Sequence, residues 1–199
     1  MFEKACDARV AVFFAEGLEE CEALVPVDVL FRANIACDKV SISDNLAVTS
    51  SHGVTVVCDR TIFDDDFSFD DYDMLFLPGG MPGTKNLRAC EPLCDAVIRF
   101  VREGRDVAAI CAAPSILAEL GLLEGRRATS NPGFTHVLAE HGATLCSDPV
   151  VVDGNVMTSQ GLGTALELGL SMIRRFQGQE ATEAIKGKVV YIERGEARA

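Results

Sequence analysis

Short apolar runs alternate with longer segments whose apolar residues recur at helical spacing. RVAVFFA (9–15), MLFLPGG (74–80) and DVAAI (106–110) are near-continuous apolar runs, the pattern of strands buried on both faces. KVSIS (39–43) alternates apolar and polar residues as a strand does, and RRATS (126–130) reads as a short strand. Helical spacing predicts helices over 19–33, with Leu24, Val27, Val29 and Leu30 apolar, over 87–104, closed by Gly104, and over 112–123. Further helices are predicted over 163–176 and 180–187. Segment 131–142 opens on turn residues and ends on Gly142, a C-cap glycine. Pro26 is expected to kink the first helix or to mark a first-turn boundary. Hairpins are predicted at 47–57, turning near His52-Gly53, and at 150–159, turning at Asp153-Gly154 or Gly154-Asn155. The tail beyond Tyr191 is polar and is expected to fray.

Repeated strand–helix units with apolar strands imply an α/β fold, a mostly parallel sheet with helices on both faces. No repeat or low-complexity linker divides the 199 residues, so one domain over 1–199 is expected. The run FDDDFSFDDYD (63–73) holds much of the acidity but no Asp-x-Asp-x-Asp-Gly loop, so it reads as a solvated connection rather than a calcium site. A net charge of −12 argues against nucleic acid as a partner. No apolar stretch is long enough for a transmembrane helix, and the N-terminus lacks the apolar core of a secretory signal, so a cytoplasmic location is expected.

Eight cysteines are present, at 6, 21, 37, 58, 90, 94, 111 and 146, and no Cys-x-x-Cys. Neither a thioredoxin-type motif nor a zinc ribbon is supported, and Cys90 with Cys94 is weak evidence for metal. Most of these thiols are expected to be reduced, small buried hydrophobes, with no metal and no cofactor required.

In a parallel sheet, sites form beyond the C-terminal strand ends. That rule selects three places: Ala15-Glu16-Gly17, Pro78-Gly79-Gly80, and Cys111 in VAAICAAPSIL. Cys111 stands between a buried strand and a helix, where helix N–H groups favour a thiolate and a lowered pKa. Ala112 and Ala113 leave room for a ligand, and Pro114 fits a first helical turn. The amides of Gly79, Gly80 and Ala112 could form an oxyanion hole. Glu19, Glu20 and Glu22 lie at the first strand end, where one carboxyl could turn inward toward the thiol, be raised in pKa and move a proton.

Glu-Glu-x-Glu (19–22), Leu-Pro-Gly-Gly (77–80), Ala-Ala-Ile-Cys-Ala-Ala-Pro (108–114) and Thr-Ser-Gln-Gly-x-Gly-Thr (158–164), in that order, resemble the ThiJ/PfpI superfamily and within it the DJ-one branch. The resemblance spans about residues 5–190. It implies a flavodoxin-like three-layer sandwich with a small β-hairpin, and a homodimer. It also implies an oxidisable nucleophile at Cys111, a hydrogen-bonding glutamate at Glu22, and backbone donors at Gly79, Gly80 and Ala112. The activities it implies are cofactor-free conversion of glyoxals to hydroxy acids, deglycation of aldehyde adducts, and redox-sensing or chaperone behaviour. Some members carry a label of thiazole monophosphate biosynthesis.

Departures from the pattern carry weight. Where many members have histidine, this chain has Asn131, which can contact substrate but cannot serve as a base near neutral pH. Ala112 follows the cysteine where the protease-like branch has histidine, which argues against a peptidase. His52 replaces an arginine of the hairpin, and His136 and His141 read as surface or packing residues. An amidotransferase would need a Gly-x-Cys-x-Gly elbow and a His-x-Glu pair, and both are absent. Two functions remain. In one, Cys111 attacks a small aldehyde such as methylglyoxal, or a glycated substrate, and Glu22 moves the proton on the way to lactate. In the other, oxidation of Cys111 makes a redox-sensing or chaperone protein. Leu18, Asn131 and Leu162 are expected to shape the pocket.

Overall fold

The computed structural model describes residues 5–193. The chain runs β1 (Arg9–Phe14), α1 (Glu20–Arg32), β2 (Ala36–Ser41), β3 (Ala47–Thr49), β4 (Thr55–Val57), β5 (Arg60–Thr61) and β6 (Met74–Leu77). It continues through α2 (Gly83–Ala89), α3 (Glu91–Glu103), β7 (Asp106–Ile110), α4 (Pro114–Glu119), β8 (Arg127–Ala128), α5 (Thr135–Glu140) and β9 (Thr144–Leu145). It ends with β10 (Val150–Asp153), β11 (Val156–Ser159) and α6 (Ala165–Lys188). Seven strands form one sheet in the order β10-β11-β7-β6-β1-β2-β5, parallel except for the β10–β11 hairpin.

The period-two geometry of β1 divides the core. Ala11, Phe13 and Ala15 face α3, α4 and α5, whose Val97, Phe100, Leu117 and Leu138 are buried there. Val10, Val12 and Phe14 face α1 and α6, meeting Leu30, Leu168 and Met172. The result is a mostly parallel sheet between two helical layers, as expected.

Both predicted hairpins are present, β3–β4 and β10–β11. Other predictions shift for physical reasons. β2 starts earlier than 39, because pairing with β1 from Arg9↔Ala36 to Phe14↔Ser41 sets its length. The helix expected over 87–104 is two helices, broken at Cys90, with Pro92 in the first turn of the second. The 112–123 helix is trimmed to α4 between the left-handed backbones of Cys111 and Gly121. Helix α1 runs through Pro26, which lies against Gly169 of α6, where a Cβ would meet Val29 Cγ2 and Pro26 Cα. The break expected between the last two helices falls at Gly178 (φ +83°). The acidic run is anchored as well as solvated: Phe67 and Phe69 pack edge to face at 4.9 Å against the core, and Asp70 takes Arg99 and Arg105. The expected fraying of the tail beyond residue 193 lies outside the described residues.

Candidate active site

Strand β7 delivers Cys111 to a sharp turn. The residue has φ +64°, a left-handed conformation costly for anything but glycine. Its backbone is pinned on both sides: the Cys111 N–H donates to Ser159 O (3.0 Å), and Cys111 O accepts from the Asn131 N–H (2.9 Å). The turn aims the half-buried thiol at the first turn of α1.

The three glutamates there separate into three environments. Glu19 caps α1, its Oε2 accepting from the Glu22 N–H at 2.6 Å. Glu20 turns outward and pairs with His52 Nδ1 at 3.0 Å. Glu22 turns inward, 2% exposed, and its carboxyl is in hydrogen-bond contact with the Cys111 thiol. The amides of Gly79 and Leu162 also face this carboxyl, yet Oε2 completes no hydrogen bond of good geometry. A buried polar atom left short of partners is uncommon in a folded chain and marks a place of chemical interest.

Burial pushes the Glu22 carboxyl up to about 7 against the pull of the thiol hydrogen bond. The expected lowering of the Cys111 pKa is not found. Burial, then the charge of Glu22, push the thiol up to about 12, and the amides of Ala112 and Gly80 draw it down by less. α4 has only six residues and no side-chain cap, so its N-terminus offers little to offset burial. The two groups titrate as a coupled pair. A proton on Glu22 removes the charge that adds to burial in holding the thiol up, so the protonation of each group depends on the other.

The three expected oxyanion donors split into two sets. Gly80 and Ala112 direct their amides at Cys111 Sγ, and Gly79 directs its amide at Glu22. Gly79 has no room for a side chain: a Cβ would lie 2.6 Å from Cys111 Cβ and closer still to Glu22 Oε2. Asn131 Oδ1 accepts from the Gly133 N–H at 3.0 Å, which turns its NH2 group toward Gly161 and the pocket. Asn131 therefore presents a donor there. Leu18 is fully buried with its backbone against Gly83, and Leu162 is 55% exposed.

The profile of the DJ-1/PfpI family matches residues 8–175. The chain belongs to the DJ-1/PfpI family. Protein DJ-1 homolog B of Arabidopsis thaliana is 36% identical over 183 residues, which is 92% of this chain and 41% of that protein. The chain thus spans less than half the length of that relative. The glutathione-independent glyoxalase DJ-1 of Schizosaccharomyces pombe is 29% identical over 185 residues, 89% of this chain and 95% of that one. The solved structure of oxidised Toxoplasma gondii DJ-1 superposes with a TM-score of 0.84 at 30% identity, covering 94% of this chain and 100% of the other.

One segment of this DJ-1/PfpI site lies outside the three strand ends selected above, although it follows the C-terminal end of β11, which runs parallel to β7. Gly161 (φ +154°) has a Cβ direction 3.5 Å from Glu22 Oε1 and 3.8 Å from Cys111 Sγ, and the neighbouring Leu162 supplies an amide to Glu22. Thr164 holds the segment in place, its Oγ1 bonded to both backbone groups of Gly161 and, at 2.6 Å, to Ser159 Oγ. The signal lies in Thr-Ser-Gln-Gly-x-Gly-Thr (158–164), whose glycines stand directly beyond the end of β11. Among the described residues, Glu19, Glu20 and Cys21 could bring three ligand atoms together for a metal. Glu19 and Glu20 are already engaged, by the α1 cap and His52. His136 and His141 are exposed on the α5 segment. No helix among the described residues is long and apolar enough to cross a membrane.

Proposed function

We propose that the chain is a cofactor-free, cysteine-dependent glyoxalase or deglycase acting on small reactive aldehydes, with methylglyoxal converted to lactate. The observation that carries this reading is the 2%-exposed Glu22 carboxyl in contact with the Cys111 thiol. In the first step Cys111 sulfur gives up its S–H proton to Glu22 and bonds to the aldehyde carbon, and the proton passes on to the carbonyl oxygen, giving a hemithioacetal. The Gly80 and Ala112 amides stabilise negative charge beside the sulfur. Glu22 then takes the proton from that carbon and returns it to the neighbouring carbonyl carbon, while the hydroxyl proton passes to the neighbouring oxygen, leaving a lactoyl thioester. Water cleaves the thioester, releasing lactate and restoring the thiol. Oxidation and reduction are internal to the substrate, so no external electron carrier enters. Asn131 donates to a substrate oxygen and leaves Glu22 as the base.

The name of the Schizosaccharomyces pombe relative supports the same chemistry. A homodimer belongs to this reading, in keeping with an apolar groove beside Leu24 and Val25 where Val190 is 79% exposed. So does one domain over the whole chain, working in the cytoplasm with its eight thiols free.

A second reading rests on the same two amides. Gly80 and Ala112 face the sulfur itself, so they would also hold the oxygens of a sulfinate, with Glu22 hydrogen-bonded to the product. That would make Cys111 a redox sensor. Incubating wild type and Cys111→Ser with methylglyoxal, and following lactate, separates the two. The enzyme reading expects lactate from wild type only. Lactate that survives in Cys111→Ser overturns it, and no lactate from wild type, with peroxide converting Cys111 to sulfinate, favours the sensor.

A further inference from the structure

Behind the loops that carry Gly80, Ala112 and Asn131, a cavity of about 420 Å³ lies between α2, α4 and Phe134. That volume is in the range of small-molecule sites. Met81, Ala89, Ile116 and Phe134 give it an apolar lining. Thr84 also lines it, 4% exposed, with an Oγ1 that has no hydrogen-bond partner. An unsatisfied buried hydroxyl costs stability that a ligand atom could restore. Lys85 and Arg88 stand at the same cavity, three residues apart on α2 and so on one face. Arg88 Nε donates to Glu119 Oε2 at 2.9 Å, while Lys85 has no ion pair among the described residues. On a chain of net charge −12, this mouth carries two cations to one anion.

We propose that this cavity is a binding site for a small amphipathic carboxylate, an aryl or short alkyl body with one anionic end. The body packs on Met81, Ile116 and Phe134, the carboxylate pairs with Lys85, and a carboxylate oxygen accepts from Thr84. Neither Cys111 nor Glu22 is part of the site, so it stands whatever the thiol does.

The test is titration of the full chain with 3-phenylpropionate, followed by backbone amide NMR shifts. Saturable shifts are expected at Thr84, Lys85, Ala89, Ser115 and Phe134. Lys85→Ala, at an exposed position that leaves the fold intact, is expected to weaken binding about fivefold, and Thr84→Val by a similar factor, the loss of one hydrogen bond each. The uncharged analogue 3-phenylpropanol is expected to bind about fivefold more weakly than the acid. No saturable shift at these residues up to about 10 mM ligand overturns the proposal, since that limit corresponds to negligible affinity. Equal binding of acid and alcohol, or affinity unchanged by Lys85→Ala, overturns the carboxylate assignment.

Discussion

The two ends of the central sheet hold buried polar groups on different terms. At the N-terminal ends of β7 and β11, Asn155 is closed on every side. Its Nδ2 donates to Val101 O (3.0 Å) and Arg105 O (2.7 Å), and its Oδ1 accepts from Arg126 (3.4 Å). Beside it, Asp106 Oδ2 accepts from Arg175 at 2.9 Å, while the other carboxylate oxygen, Oδ1, is buried without a partner. At the C-terminal ends, Glu22 is as deeply buried, yet Oε2 lacks a complete partner, and the adjacent Cys111 sits at φ +64°. Both ends bury charge or amide. Each end leaves one carboxylate oxygen unpaired, Asp106 Oδ1 and Glu22 Oε2, but only at the C-terminal end does it lie beside a strained residue, Cys111. An ion-paired carboxylate on relaxed backbone serves the fold, and an unpaired one beside a strained nucleophile persists where chemistry benefits from it.

The largest test of this contrast is Gly79→Ala. Its Cβ would strike Glu22 and Cys111 together. Turnover is expected to vanish, with about 2–3 kcal/mol of stability lost in urea unfolding through overpacking. A stable, active variant would mean that the thiol end is looser than described. At the other end, Asn155→Ala is expected to cost about 2 kcal/mol by freeing one buried and one half-buried carbonyl, with kcat/KM unchanged.

Glu22→Gln is expected to move stability the opposite way. The folded-state carboxyl is raised to about 7 from an ordinary 4.5, so the unfolded chain releases this proton at lower pH. Folding therefore loses stability as pH climbs from 4.5 through 7. Discounted for residual solvent, the amide is expected to be about 2 kcal/mol more stable than wild type at pH 8, a gain that falls to about a quarter of that at pH 5. Chemical denaturation at the two pH values measures it. The smallest effect belongs to Glu20 and His52. Each shifts the other, His52 upward and Glu20 downward, but the pair is exposed to solvent. His52→Ala is expected to leave both melting temperature and turnover unchanged, and a loss of turnover would bring the hairpin into the site.

Strand and helix order was legible because β1, β6 and β7 are apolar throughout and the helices keep their spacing. Boundaries set by partners were not legible. β2 takes its length from β1, and nothing in residues 39–43 announces that register. The break at Cys90 follows from a backbone angle that a continuous apolar stripe conceals. At the site, strand-end logic reached Cys111, Gly79, Gly80 and the glutamates. Burial then chose Glu22 over Glu19 and Glu20, a choice that spacing alone leaves open. The sign of the thiol shift needed the depth of the pocket, and the roles of Gly161 and Leu162 needed the loop after β11 to be seen folded over the pair.

The central claim is that Glu22 and Cys111 work as one acid–base unit. Lactate formation from methylglyoxal, followed from pH 5.5 to 8.5 in wild type and Glu22→Gln, tests it directly. The wild-type rate is expected to rise with an apparent pKa of about 7, a property of the pair rather than of either residue. Glu22→Gln is expected to be at least about 100-fold slower and to lack that step. A folded Glu22→Gln variant that keeps the wild-type rate or the wild-type pH profile would contradict the account.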